Sequence, residues 1–215
     1  MKSIYRNNPL LQLIYPPLCL HCQDKTESLQ TLLCSHCLEY VTLIDTHSKP
    51  SSSTCEGEAW HQATCEPLGP AVALFRQSHR GDQACIRAIA SLMVMQWATL
   101  GWTLPDGIVP LPTHLWPYLS KAKNITLLIA QEIAKMIGVP LFRNLKKQIH
   151  WQYFRDPKEE HPCSLTRSNK EIAGKKILLV SLSIDPSTLK EASGLLLEGF
   201  PSEIHSLSFM DFQSH

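Results

Sequence analysis

Apolar residues recur along this chain with two different periods. Between residues 84 and 100 they stand at helical spacing, at Ile86, Ile89, Ala90, Met93, Val94 and Trp97, which predicts an amphipathic helix. Residues 124–137 repeat the pattern, with Leu127, Leu128, Ala130, Ile133, Ala134 and Ile137 on the inner face and Gly138 at the stop. Shorter apolar runs lie between such segments. Residues 107–111 read as a buried strand cut off by Pro110 and Pro112, residues 176–180 as a central strand, and residues 203–209 as a last one, with 139–145 a further candidate. Residues 186–197 read as a helix. This alternation predicts an α/β domain with a parallel sheet and right-handed crossovers.

Composition sets limits on what else the chain can be. It has 215 residues, 44% hydrophobic and 18% charged, enough for one good core and a smaller module. The net charge of +1 hides an asymmetry: residues 1–70 carry 4 Lys/Arg against 7 Asp/Glu, and residues 71–215 carry 16 against 12. So weak a balance does not by itself argue for nucleic-acid binding, and such a reading needs a local patch. The N-terminal residues lack the apolar run and small-residue cleavage site of a secretory signal, and the most apolar long window, 85–104, is interrupted by Arg87 and Gln96. A cytoplasmic protein without a membrane segment is therefore expected. In that compartment 8 cysteines point to thiols or metal rather than disulfides.

The cysteines concentrate in PPLCLHCQDKTESLQTLLCSHC, where two CxxC pairs, Cys19/Cys22 and Cys34/Cys37, are separated by eleven residues. A tight CxxC turn lets two thiolates reach one ion, and two such turns complete the tetrahedron that zinc prefers. The segment is too short to bury much of a core, so a metal would supply its folding free energy. His21 and His36 fall inside the pairs and are expected to face solvent. A thioredoxin-like redox site is disfavoured because neither pair follows a strand of a βαβ unit. Cys55, His61 and Cys65 offer a looser set for a second metal, against the alternative of a Ser-rich linker carrying incidental cysteines.

The order of pieces resembles the ComF family, a zinc-knuckle head followed by a type I phosphoribosyltransferase-like α/β domain. IYPPLCLHC and LLCSHC are similar to the family's metal head, and IVPLP, residues 108–112, to its strand ending in Val-Pro-Val-Pro. KAKNITLLIAQEIAKMIGVPL is similar to the stretch where the family carries Arg-Gly-Phe-Asn-Gln; Asn124 is retained, with Lys121 in place of the arginine. KKILLV resembles the strand that delivers an Asp-Asp pair into a Thr-rich loop. The resemblance implies phosphoribosyl pyrophosphate chemistry, with the loop gripping the 5′-phosphate and the acids holding the ribose hydroxyls. It also implies an association with DNA uptake during natural transformation.

The loop departs from that pattern. SLSIDPS is one residue shorter, and Ser181 and Leu182 replace both acids. Ser181, Ser183, Asp185, Ser187 and Thr188 remain as the remnant of a ligand loop. Asp185 before Pro186 is a helix-start signal, an N-cap followed by proline at the first helical position. A cap stabilises by about 1 kcal/mol and an anion at the helix dipole by a further ~0.3–1, and both would now belong to Asp185. A phosphate would have to displace that carboxylate. The expectation is a decayed active loop, with an active phosphoribosyltransferase as the alternative.

One basic segment stands out. Arg143, Lys146, Lys147 and Arg155 interleave with Trp151 and Tyr153, and residues 143–176 hold nine Lys/Arg against four Asp/Glu. Cations that follow a phosphate backbone, with rings on which bases stack, are the ingredients of single-strand binding; a solvated loop with tucked-in aromatics is the competing account. No HExxH or GxSxG occurs to support a hydrolase. The organisation expected is a zinc-knuckle head over 1–46, a Ser-rich linker over 47–69, and a phosphoribosyltransferase-like domain over 70–215. The expected partners are single-stranded DNA or competence and DNA-handling proteins.

Overall fold

Two strands buried on both sides organise the chain. The computed structural model describes residues 17–27, 31–44, 59–112, 124–147, 165–167, 172–183 and 186–211. Within them β1 is Ala59–Cys65, β2 Gly107–Pro110, β3 Leu145–Lys147, β4 Leu165–Arg167, β5 Lys176–Ser183 and β6 Glu203–Met210. The helices are α1 Ser35–Glu39, α2 Gly69–Ser78, α3 Gln83–Thr99, α4 Ile125–Ile137 and α5 Pro186–Leu197. The main sheet runs β1-β6-β5-β2 with every pair parallel, and β3 pairs with β4 antiparallel in a separate ribbon.

Alternate residues of the central strands feed two cores. Leu178, Val180 and Leu182 of β5, with Leu207 and Phe209 of β6, pack against Leu74 of α2, Ile86, Ile89 and Met93 of α3, and Ile129 and Ile133 of α4. Ile177 and Leu179 of β5, with Val109 of β2 and Ile204 of β6, pack against Leu189, Ala192 and Leu196 of α5. Helices on both faces explain why β5 reads as a near-continuous apolar run.

Local signals place the helix ends. The Asp82 carboxylate accepts from the Ala84 amide at 2.8 Å to start α3, and Asn124 Oδ1 accepts from Leu127 N at 3.0 Å to start α4. Gly138, at φ 73°, closes α4 in the left-handed conformation that glycine adopts without strain.

Three expectations change. Residues 59–65, read as part of a linker, form the edge strand β1, paired along β6 from Ala59–Ile204 to Cys65–Met210. Their sequence, AWHQATC, has too few β-branched or apolar residues to announce a strand; pairing with β6 supplies what propensity does not. The central strand does not end at Val180, because Ser181 pairs with Ser208 and Ser183 with Met210. The candidate strand over 139–145 shrinks to one parallel bridge between Leu141 and Ile108. Pro140 has no N–H to extend a ladder, although its carbonyl accepts from Ile108 N at 3.0 Å.

Candidate metal centre and the end of the central strand

The first knuckle is a short hairpin. Leu18 and Lys25 form an antiparallel bridge, and within it Cys19 N donates to Asp24 O at 2.8 Å and Gln23 N to Cys19 O at 3.1 Å. Closing so tight a turn puts Gln23 at φ 65°, the left-handed region. The second knuckle is the N-terminus of α1, where Cys34 is the N-cap and its sulfur accepts from Cys37 N at 3.4 Å. Leu20 N donates to Leu32 O at 2.9 Å and holds the two knuckles side by side.

These bonds bring the four sulfurs of Cys19, Cys22, Cys34 and Cys37 within 4.8 Å of one another, with Cys22 Sγ and Cys34 Sγ 3.6 Å apart. Sulfurs about 2.3 Å from a tetrahedral zinc lie roughly 3.8 Å from each other, so the group has the right size for that ion. His21 and His36 are exposed, as expected. His21 Nδ1 nonetheless lies 3.3 Å from Cys37 Sγ, in the position of an outer partner rather than a ligand, and His36 meets Tyr40 edge to face at 4.9 Å.

The surroundings push the two buried thiols of the group in opposite directions. Burial pushes Cys19 up, but the amides of Cys22, Cys34 and His21 outweigh it and hold the thiol down at about 6. Burial and then the neighbouring Cys34 side chain push Cys37 up to about 11. The amides that favour one thiolate would favour metal binding through it, since the thiolate is the ligand form.

The cysteine group is not a separate bead on the domain. Cys19, Leu33 and Cys37 belong to the same core as Cys65, Ala71, Leu74 and α3. Beyond the second knuckle, Leu43 bridges Cys65 antiparallel, Ile44 N donates to Thr64 O at 3.0 Å, and Gln96 Nε2 of α3 donates to Ile44 O at 2.8 Å. The chain leaving the knuckles thus lies along the outer edge of β1. Sequence reasoning missed this attachment.

The looser set for a second metal is not brought together. His61 and Cys65 lie four residues apart on β1, about 13 Å along an extended strand, too far for one ion. His61 Nδ1 lies 3.2 Å from Ser206 Oγ, and burial keeps its ring pKa below the ordinary value. Cys65 is fully buried, which pushes its thiol up to about 12. Cys55 lies outside the described residues.

The residues expected to form the remnant of a ligand loop divide between strand and helix. Ser181 and Leu182 are interior residues of β5, 2% and 3% exposed. Ser181 faces the α5 side between Leu179 and Ser183, while Leu182 packs into the opposite core. Ser183 is exposed, Ser187 and Thr188 lie in the first turn of α5, and Asp185 lies outside the described residues. Asn124 caps α4 through its side chain.

In the basic segment, Arg143 and Lys146 are exposed, and Lys146 and Lys147 lie on β3 opposite Thr166 and Leu165. Trp151, Tyr153 and Arg155 lie outside the described residues. Among the described residues no helix is long and apolar enough to cross a membrane.

No protein-family model and no curated protein matches the chain. Solved phosphoribosyltransferases are similar to it. One is the glutamine phosphoribosylpyrophosphate amidotransferase from B. subtilis complexed with ADP and GMP, at 17% identity over 58% of this chain and 26% of that one, with a TM-score of 0.37. A second is the hypoxanthine-guanine phosphoribosyltransferase of L. donovani, at 12% identity over 64% and 71%, TM-score 0.35. A third is a hypoxanthine phosphoribosyltransferase from Staphylococcus aureus, at 14% identity over 59% and 62%, TM-score 0.37. The chain spans only about a quarter of the amidotransferase, 26% of its length.

Proposed function

We propose that this chain is a divergent ComF-like protein, with a phosphoribosyltransferase-like domain that has lost its sugar-phosphate chemistry and acts as a binding factor in DNA handling. The observation that carries this reading is the burial of Ser181 and Leu182 inside β5. These are the positions where the family resemblance puts two carboxylates on the ribose hydroxyls. A leucine side chain within a core offers a sugar no polar group, and a single serine cannot replace two anions. The parallel α/β sheet, kept by packing on both faces, is then a scaffold without that reaction.

The four cysteines hold zinc in this account. A structural site with four protein ligands has no open position for substrate, so its role is to stabilise the fold rather than to catalyse. The partner surface is the basic segment that starts on the β3–β4 ribbon, whose exposed Arg143 and Lys146 would follow the backbone of a single-stranded nucleic acid. Trp151, Tyr153 and Arg155 complete the segment in sequence.

Fluorescence anisotropy with a labelled single-stranded oligonucleotide tests the binding role. Affinity is expected to fall steeply with salt, and Lys146→Glu combined with Lys147→Glu should weaken binding and flatten the salt dependence by about two phosphate contacts. Binding that ignores both salt and the charge reversal would end the nucleic-acid reading.

A further inference from the structure

The four sulfurs are not equivalent, and the inequality has a chemical consequence. Cys19 and Cys37 are 0% and 2% exposed and belong to the core shared with α2 and α3, whereas Cys22 is exposed and Cys34 partly so. A small oxidant arriving from solvent meets Cys22 first. Its neighbour across the centre is Cys34, at 3.6 Å between sulfurs, one residue from each knuckle. A disulfide needs about 2.05 Å, so closing this pair takes a movement of roughly 1.5 Å at the exposed side of the centre.

We propose that Cys22 and Cys34 form a peroxide-reactive pair whose oxidation to an inter-knuckle disulfide releases the metal. The inference rests on the four-thiolate metal reading. The Cys22 thiolate attacks one oxygen of a hydroperoxide: an S–O bond forms, the O–O bond breaks, and the departing hydroxide or alkoxide takes a proton from water. Cys22 is then a sulfenic acid. The Cys34 thiolate attacks that sulfur, the S–S bond forms, the S–O bond breaks and hydroxide leaves. Two thiolates have lost two electrons and the peroxide has gained them.

Only Cys19 and Cys37 then remain as ligands, and two thiolates do not hold a tetrahedral ion against water and competing thiols. Both are core residues, so the loss reaches the domain. The chain after the knuckles is bonded to the outer edge of β1 at Thr64 and Cys65, and this attachment loosens when the centre empties. The pair therefore couples oxidation at the surface to the order of one sheet edge. A thiol reductant plus zinc reverses it. Cys65 and Cys85, both fully buried, do not take part.

The test uses the full-length zinc-loaded protein, whose metal content is measured first. One equivalent of hydrogen peroxide is added, zinc release is followed with a chromogenic chelator, and non-reducing peptide mass spectrometry maps the link. The proposal predicts release of the bound zinc, one Cys22–Cys34 disulfide, and recovery with reductant and zinc. Cys22→His retains a ligand but removes the reactive sulfur, and should slow release about tenfold or more, because the thiolate is the nucleophile. A first link within a knuckle or between Cys19 and Cys37, zinc retained with all thiols intact, or wild-type release from Cys22→His would each overturn it. If no zinc is present even after refolding with the ion, the metal reading fails instead. The first disulfide mapped in the metal-free protein then decides the pair, with Cys22–Cys34 supporting it and any other link refuting it.

Discussion

Leu33→Ala tests whether the cysteine module and the α/β domain share one core. Leu33 lies in the module, one residue before the second knuckle, and is 5% exposed among Cys19, Cys37, Cys65 and the residues of α2 and α3. Truncating a buried leucine costs about 2–5 kcal/mol, and the lower part of that range, ~2–3, suits a residue at the margin of a core where the site can partly collapse. For a chain of 215 residues, each kcal/mol corresponds to about 2–4 °C in Tm, so the melting point should fall by roughly 4–12 °C. The assay is calorimetry of the full chain with tryptophan fluorescence in parallel, since Trp97 and Trp102 pack against the same core. Zinc stoichiometry should not change, because all four thiols remain. One cooperative transition shifted as a whole is the predicted outcome. Two transitions, with only a small early one moved and the tryptophan signal unaltered, would refute the shared core.

Other expectations follow from single contacts. Gly107→Ala would drive a Cβ into the Phe142 ring; urea denaturation should show a loss of about 1–3 kcal/mol, partly recovered in the double variant with Phe142→Ala. Asn124→Ala removes the α4 cap and should cost about 1 kcal/mol of stability with oligonucleotide affinity unchanged. His61 is held neutral by burial, its pKa below the ordinary 6.5. The unfolded chain therefore binds the proton more readily, stability is full above about pH 6.5 and falls as the pH drops below it. In the zinc-loaded protein, His61→Gln should make this slope shallower, as read by denaturation midpoints between pH 7 and the acid side of 6.

Much of the scaffold was legible because the elements that carry it satisfy local rules. α3 and α4 have apolar faces at helical spacing and side-chain caps, and β5 is a nearly continuous apolar run because helices cover both faces of the sheet. The four-cysteine group was legible from spacing alone, since a CxxC turn constrains its own geometry. The missed features depend on partners distant in sequence. β1 is a strand because β6 lies beside it, 145 residues away in register, as Ala63 pairs with Ser208 and a Gln and two polar neighbours give no local sign of it. β5 runs three residues past Val180 because β6 continues to Met210, which turns the first part of an apparent loop into buried strand. The packing of the knuckles onto α2 and α3 has no periodic signal at all.

The proposed function turns on whether the end of β5 binds a ribose phosphate. Isothermal titration of the zinc-loaded chain with phosphoribosyl pyrophosphate and magnesium is the direct measurement. No heat beyond dilution is predicted, because Ser181 and Leu182 are interior to the strand where two carboxylates would be needed. A saturable one-to-one isotherm with a micromolar Kd would contradict it.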